Sequence, residues 1–255
     1  MKLLNRQLKN GFFVALLLLV AASTTQAAGD GKSAKGLTEK EATMGPVLVG
    51  YYREFLESQD LEKFMQNLLA RYSESTLIKL TESSDAETRR ACAISLGLIG
   101  GKESNTAVGK LMQDKDSMVR QFSENALWGI WFRSSSAENN KELAAIRALV
   151  SEERTDDAEK RLDALIKKAP EFAEAWNQRA IIHFSRGDFE KSVADCREVI
   201  KRNPYHYGAM SGMGQCLIRL NRPAQAQQIF IELLKIQPYN EAIKVTIDSL
   251  NRGLT

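Results

Sequence analysis

Apolar positions along this chain fall into stripes of helical spacing, and the stripes repeat with two different periods. Val47, Leu48, Tyr51, Tyr52, Phe55 and Leu56 form one stripe, and Leu61, Phe64, Met65, Leu68, Leu69 and Tyr72 form the next. Such spacing puts one apolar face on each helix. The two stripes predict a helical cap over residues 47–73. Further on, Asp85-Ala86-Glu87-Thr88-Arg89 and Asp116-Ser117-Met118-Val119-Arg120 stand 31 residues apart. The same offset lays Leu77 on Val108, Leu80 on Leu111, Leu96 on Leu127 and Ile99 on Ile130. Ser84 with Glu87 predicts a capping box at the start of the second helix of the first unit. Gly100-Gly101 predicts its end. Ala91, Cys92, Ala93, Ser95 and Gly97 are small enough to let helices approach closely.

From about Asn139 a longer period takes over. Pro170, Pro204 and Pro238 are 34 residues apart. A fixed period of this length marks helix–turn–helix units, each burying its apolar face only against its neighbours. With each proline placed near a repeat's end, Trp176 and Ala180 fall in the first helix of the middle repeat. Gly187-Asp188-Phe189 makes its turn, with Asp188 as N-cap, and Ser192 is the small residue of the second helix. Gly214, Ala226 and Phe230 match in the last repeat, and Ala158, Leu162 and Leu165 in the first, where Glu142 and Ile146 depart from the pattern. These residues resemble the tetratricopeptide repeat (TPR), as three copies over 139–172, 173–206 and 207–240. Residues 241–252, with Ile243, Val245, Ile247 and Leu250, predict the terminal solvating helix that such arrays need. The run Arg89-Arg90-Ala91-Cys92-Ala93-Ile94-Ser95-Leu96-Gly97-Leu98-Ile99-Gly100 resembles the second helix of a HEAT repeat, of the type also found in phycobilin-lyase-like proteins. That resemblance covers 74–135, with Trp128 and Trp131 standing where the first unit has glycines. Together they imply an all-α fold, an α-solenoid of HEAT-like repeats followed by a TPR superhelix.

Charge changes the picture at one end only. The formal net charge is +3. Lys2, Arg6 and Lys9 account for that excess, in a stretch of 27 residues without an acid. Phe12 to Ala22 is unbroken apolar sequence, and Thr25-Gln26-Ala27 supplies small residues before Ala28. This is the pattern of a cleaved export signal over 1–27. The apolar stretch would span roughly 16 Å as a helix, short of the about 30 Å of a hydrocarbon core. Residues 28–46, rich in glycine and lysine, read as a flexible tether. The expected location is periplasmic or extracellular, with a signal-anchored inner-membrane form as the alternative. After cleavage no membrane span is expected. The remaining chain is neutral and has no basic stripe, which argues against nucleic acid as a partner.

Catalytic chemistry finds no foothold. Cys92, Cys196 and Cys216 fall at apolar or small helix positions and read as buried hydrophobes, with a Cys196–Cys216 bridge as the alternative. His183 takes a core-facing position and reads as a packed, satisfied ring, whereas His206 follows Pro204-Tyr205 in a loop and is expected to be exposed. No metal-ligand spacing, phosphate loop or nucleophile elbow occurs, so no metal, cofactor or catalytic residue is assigned. Trp128, Trp131 and Phe132 read as a packed junction, the alternative being an exposed aromatic patch.

The TPR resemblance implies a groove lined by the first helix of each pair. Its defined positions fall on Arg147 and Val150, on Asn177, Ile181 and Phe184, and on Ser211, Gln215, Ile218 and Arg219. Asn177 and Gln215 would bond a peptide backbone, Arg147 and Arg219 would take carboxylates, and Phe184 and Ile218 would supply apolar contact. Leu143 replaces a residue of the TPR pattern that clamps a chaperone's C-terminal carboxylate, so a chaperone partner is not implied. The implied function is a non-enzymatic scaffold or adaptor of the cell envelope that binds a protein or peptide. Two other readings stay open: an accessory lyase-like enzyme, and a self-assembling structural element.

Overall fold

The computed structural model describes residues 39–253, and these form thirteen α-helices and one 3-10 turn with no strand among them. The proposed signal over 1–27 and most of the proposed tether lie outside the described residues. Among the described residues no helix is long and apolar enough to cross a membrane. The chain divides into two compact units, one up to Ile130 and one from Trp131.

In the first unit the helices are α1 (Glu39–Ser58), α2 (Leu61–Arg71), α3 (Glu74–Leu80), α4 (Ala86–Ile99), α5 (Asn105–Leu111) and α6 (Ser117–Phe132), the last ending two residues beyond the boundary. Gly45-Pro46 was expected to lie in the tether. Instead α1 starts at Glu39 and carries Pro46 inside it. A proline forfeits a single helical hydrogen bond there. The helix is held by what it buries: Leu48, Tyr52 and Phe55 are at most 2% exposed. Tyr72 Oη also donates to the Met44 carbonyl at 2.6 Å. Gly45 lies within 3.4 Å (measured from an added Cβ) of the Thr88 side chain, so α1 packs tightly on α4 at that point.

The 31-residue offset is visible as chemistry. Arg89 Nη1 donates to the carbonyls of Ser83 and Ser84, at 2.8 and 2.9 Å. Arg120 Nη1 donates to those of Asp114 and Lys115, at 2.7 and 3.1 Å. Each donor and acceptor in the second clasp stands 31 residues after its counterpart. Each arginine fastens the turn ahead of its own helix. Caps repeat as well. Asp85 accepts from the Glu87 and Thr88 amides, and Asp116 accepts from the Val119 amide. This corrects the capping box: Asp85 rather than Ser84 caps α4, and Glu87 is taken by Arg53 at 2.6 Å. A carboxylate accepts from two amides at once, which a single hydroxyl does less well. A Cβ on Gly97 would stand 2.9 Å from Ala126 Cα, so α4 and α6 touch almost backbone to backbone.

Burial works to raise the Asp116 carboxyl, but bonds from Arg90 and from the Val119 amide outweigh it and hold it below its ordinary value. Asp85 is lowered against its burial in the same way, by Thr88 and Glu87. A carboxyl lowered in the folded state stabilises the fold above its unfolded value of about 4 and loses that contribution as pH falls through the folded value. Thermal melts of the chain should therefore lose stability as the pH drops below about 4, and Asp116→Asn should flatten that slope. An unchanged slope would mean the caps are not coupled to folding.

In the second unit α7 (Ala137–Ser151) pairs with α8 (Thr155–Lys168), α9 (Ala173–Arg186) with α10 (Phe189–Arg202), and α11 (Tyr207–Arg219) with α12 (Pro223–Ile236); α13 (Glu241–Asn251) follows and packs on α12. The helices α8, α10 and α12 begin at 155, 189 and 223, and α9, α11 and α13 at 173, 207 and 241, each series in steps of 34. Leu143, Ile146, Ala158, Leu162, Phe172, Ala175 and Ile182 make a common core of the first two pairs. Gly187 ends α9 with φ +82°, a left-handed conformation that an L side chain resists. Asp188 sits at the N-cap position of α10, but its carboxylate bonds Lys191 and not a backbone amide. Gly214 lies against the Phe230 ring, with no room for a Cβ.

All three cysteines are free and buried. Burial pushes the Cys196 thiol up to about 12 and raises Cys92 and Cys216 as well. They behave as small hydrophobes.

Candidate partner-binding face

The nine residues assigned to partner binding all lie on α7, α9 and α11, but they are not equally available. Ile181 is 47% exposed. Gln215 and Arg219 are exposed, and Val150, Phe184, Ser211 and Ile218 are half-buried. Phe184 meets Phe189 edge to face at 5.6 Å, which fixes the ring at the turn of its own pair.

Two of the nine already have partners inside the chain. Asn177 is 4% exposed, and its Nδ2 donates to Glu174 Oε1 at 3.0 Å. The Arg147 guanidinium lies over the Phe132 ring, 3.9 Å from its centroid. Burial pushes Arg147 below its ordinary value, while nearby Glu174 acts the other way. A residue spent in this way has less to offer a ligand.

The Asn177 contact belongs to a buried polar cluster that single-residue reasoning missed. Glu174 and His206 are each 0% exposed, with His206 Nε2 and Glu174 Oε2 3.0 Å apart. Gln178 Nε2 joins Asn177 on Oε1, at 2.7 Å. His206 Nδ1 accepts the Ala209 amide at 3.0 Å and so caps α11. A nitrogen that accepts carries no proton, which places the ring proton on Nε2, where it is donated to Glu174. Trp131 covers the other side of the cluster. Its ring stacks on His206 at 3.9 Å with a 16° tilt, and it meets Tyr207 at 5.3 Å.

His206 is therefore not the exposed loop residue expected. The turn after Pro204 folds back, and the imidazole supplies the cap that α11 needs. One signal for this existed: an N-cap position just before Tyr207 asks for an acceptor, and a neutral imidazole nitrogen is one. Trp131 is packed, at 2% exposed, and Phe132 is half-buried under Arg147.

His183 is packed, at 5% exposed, but not fully satisfied: its Nδ1 has no hydrogen-bond partner. The nearest carboxylates are Asp195 at 3.6 Å and Glu159 at 3.8 Å. Asp195 is instead engaged by both ends of the Arg179 fork, at 2.8 and 2.7 Å. Trp176 lies between two guanidinium groups, Arg179 at 5.1 Å and Arg202 at 4.9 Å from its ring centroid. Its indole N–H donates to the Pro170 carbonyl at 2.9 Å, so the repeat-end proline is tied to the next repeat. A shallow cavity of about 450 Å³ opens between α7 and α8, rimmed by the Glu142–Arg161 pair. Among the described residues no group of three or more His, Cys, Asp or Glu side chains could hold a metal ion.

Tetratricopeptide-repeat family models match residues 143–207 and 183–244, and a HEAT-repeat model matches 74–166. A TPR repeat-containing protein of Rhizobium etli is 30% identical over 145 residues, 57% of this chain and 71% of the relative. The chain belongs to the TPR repeat family. This TPR protein also carries HEAT-like repeats. A small glutamine-rich TPR protein of Dictyostelium discoideum is 32% identical over 74 residues, 29% of this chain and 22% of that protein. Among solved structures, the first TPR of Spaghetti bound to an HSP90 peptide is 17% identical and covers 47% of this chain and 95% of that one, with a TM-score of 0.44. YrrB, described as a TPR protein with an unusual peptide-binding site, is 15% identical over 80% of this chain and 91% of its own, with a TM-score of 0.38.

Proposed function

We propose that this TPR protein is a non-catalytic adaptor that holds a peptide or protein segment against the first-helix face of its TPR array. Arrays of this family present an extended concave surface lined by the first helix of each pair. The observation that carries the reading is Ile181, an isoleucine left 47% exposed at the middle of that face. Half-buried Phe184 and Ile218 lie beside it along the period, and exposed Gln215 and Arg219 supply polar contact. Apolar anchors with a polar surround are the composition of an interface centre. The reading includes export to the cell envelope, supported by the charge and hydropathy pattern of residues 1–27.

Affinity capture from membrane and periplasmic fractions tests it, with Ile181→Asp as the control. An exposed position tolerates the aspartate, so its melting temperature should stay within a degree or two (about 0.5 kcal/mol) of the parent. A partner retained by the parent chain should be lost from the variant. Equal capture by both would remove this face from the binding site. The amino terminus of the exported protein, read by mass spectrometry, should be Ala28.

A further inference from the structure

The 34-residue step does not stop at α11. Carried one unit further, Asn177 and Ser211 lead to Val245, Ile181 and Gln215 to Ser249, and Phe184 and Ile218 to Arg252. All three are at or next to α13, which begins one full period after α11. Val245 is 60% exposed, the second most exposed large hydrophobic among the described residues after Leu69 at 61%. A terminal helix that only solvated the array would carry a polar residue there. Its other positions do that: Lys244, Asp248 and Asn251 take the places that Met210, Gly214 and Leu217 hold one period earlier. The repeat-to-repeat face of α13 is thus polar, and its groove-equivalent position is apolar and open.

At the other end the face is closed by the chain itself. Phe132 takes the Arg147 guanidinium, Trp131 stacks on His206, and Glu174 takes Asn177. What is left runs from Ile181 through Gln215 and Ile218 to Val245. At the groove-equivalent positions of α11 and α13 the charged side chains are Arg219 and Arg252, the latter one turn after the exposed Asp248 and donating from Nε to its carbonyl at 3.2 Å. Among the described residues neither has a carboxylate partner. The acid of the same face, Glu174, is sealed at 0% exposure.

We infer that the docking face is displaced toward the C-terminus, from Ile181 on α9 to Val245 on α13, and that its occupant is an apolar peptide segment carrying carboxylates that meet Arg219 and Arg252. This rests on the adaptor reading above and names the register and the partner chemistry of that site. An apolar segment covers Ile181 and Val245. Its acids meet two guanidinium groups that have no carboxylate partner among the described residues.

Selection of a random twelve-residue peptide library on the full chain, followed by titration of a selected peptide, tests it. The parent should enrich peptides that combine apolar residues with Asp or Glu. The double variant Arg219→Glu/Arg252→Glu should enrich Lys and Arg instead. Val245→Asp should weaken the selected peptide by about tenfold or more, whereas Arg147→Gln should leave it unchanged. Each variant is checked by thermal melting, and the surface positions Val245 and Arg219 allow a second substitution (Val245→Ser, Arg219→Gln) if one fails to fold. Peptides that bind through Arg147 and ignore Val245 and the two arginines would leave the adaptor reading standing and overturn this one. Enrichment without regard to charge would overturn it as well. No enriched peptide at all would take the adaptor reading down with it.

Discussion

Glu174→Ala should cost this TPR protein about 3–5 kcal/mol of stability. The carboxylate is wholly buried and accepts from three side chains: His206, Asn177 and Gln178. Truncation takes this acceptor from His206 and Asn177, both buried where water does not reach, and from the half-buried Gln178. The damage should spread. His206 loses the bond that holds its ring in plane for Ala209, and Trp131 loses the surface it stacks on. Glu174→Gln keeps one acceptor oxygen but turns an amide N–H₂ toward the His206 Nε2–H. The ring cannot answer by moving its proton, because Nδ1 must stay free for the α11 cap. That variant should therefore also be destabilised, by roughly 1–3 kcal/mol. Chemical denaturation with tryptophan fluorescence measures both. A loss below about 1 kcal/mol for Glu174→Ala would mean that the cluster is a bystander.

In the first unit the largest effect should come from Arg89→Ala, again about 3–5 kcal/mol. The Arg89 and Asp114 side chains are 8% and 9% exposed, and they meet in a two-pronged pair at 2.6 and 2.9 Å. The same guanidinium holds the Ser83 and Ser84 carbonyls. Removing it leaves a buried carboxylate without its counter-charge, holding only the Asp116 amide at 2.8 Å, and takes the donor from two carbonyls. Arg89→Lys keeps the charge but has no planar fork, so it should recover only part of the loss. Arg120 is the internal control. It makes the same carbonyl clasp 31 residues later. Arg120 is only half-buried and one arm of its clasp is open to solvent, so Arg120→Ala should cost less, about 1 kcal/mol. Equal losses at the two arginines would show that the clasp, and not the ion pair, matters most.

The periods were legible because they are properties of spacing. Prolines in steps of 34 need no tertiary knowledge to be seen, and helices starting at 155, 189 and 223 keep the same step. Gly214 was legible as a small residue at a helix crossing, and the Phe230 ring fills the space that a Cβ would need. Capping was less so. Ser84 and Asp85 are adjacent, and it is the Asp85 carboxylate that accepts the Glu87 and Thr88 amides, while the Glu87 side chain pairs with Arg53.

The partner face shows the same division. The TPR resemblance put Ile181, Gln215 and Arg219 on one face, and the fold leaves them exposed. Val245 lies one step beyond Ser211, but as part of the expected terminal solvating helix it was not assigned to the face, and its 60% exposure is what singles it out. What spacing could not reveal is which polar residues the fold consumes. Asn177 and Arg147 look like ligands for a peptide until Glu174 and Phe132 come within bonding distance. His206 looked exposed because a loop residue after proline usually is.

The sequence by itself determined the helices, their two periods and, through the resemblance that those repeats carry, the family, because the repeats follow from local spacing along a helix. Only the tertiary structure decided the buried Glu174–His206–Trp131 cluster, the Arg89–Asp114 pair and the part of the face left open. Those depend on residues 25 to 75 positions apart being brought together. A hydrogen bond or a stacked ring is specified by the distance between two side chains in space, and no pattern of one side chain at a time contains it.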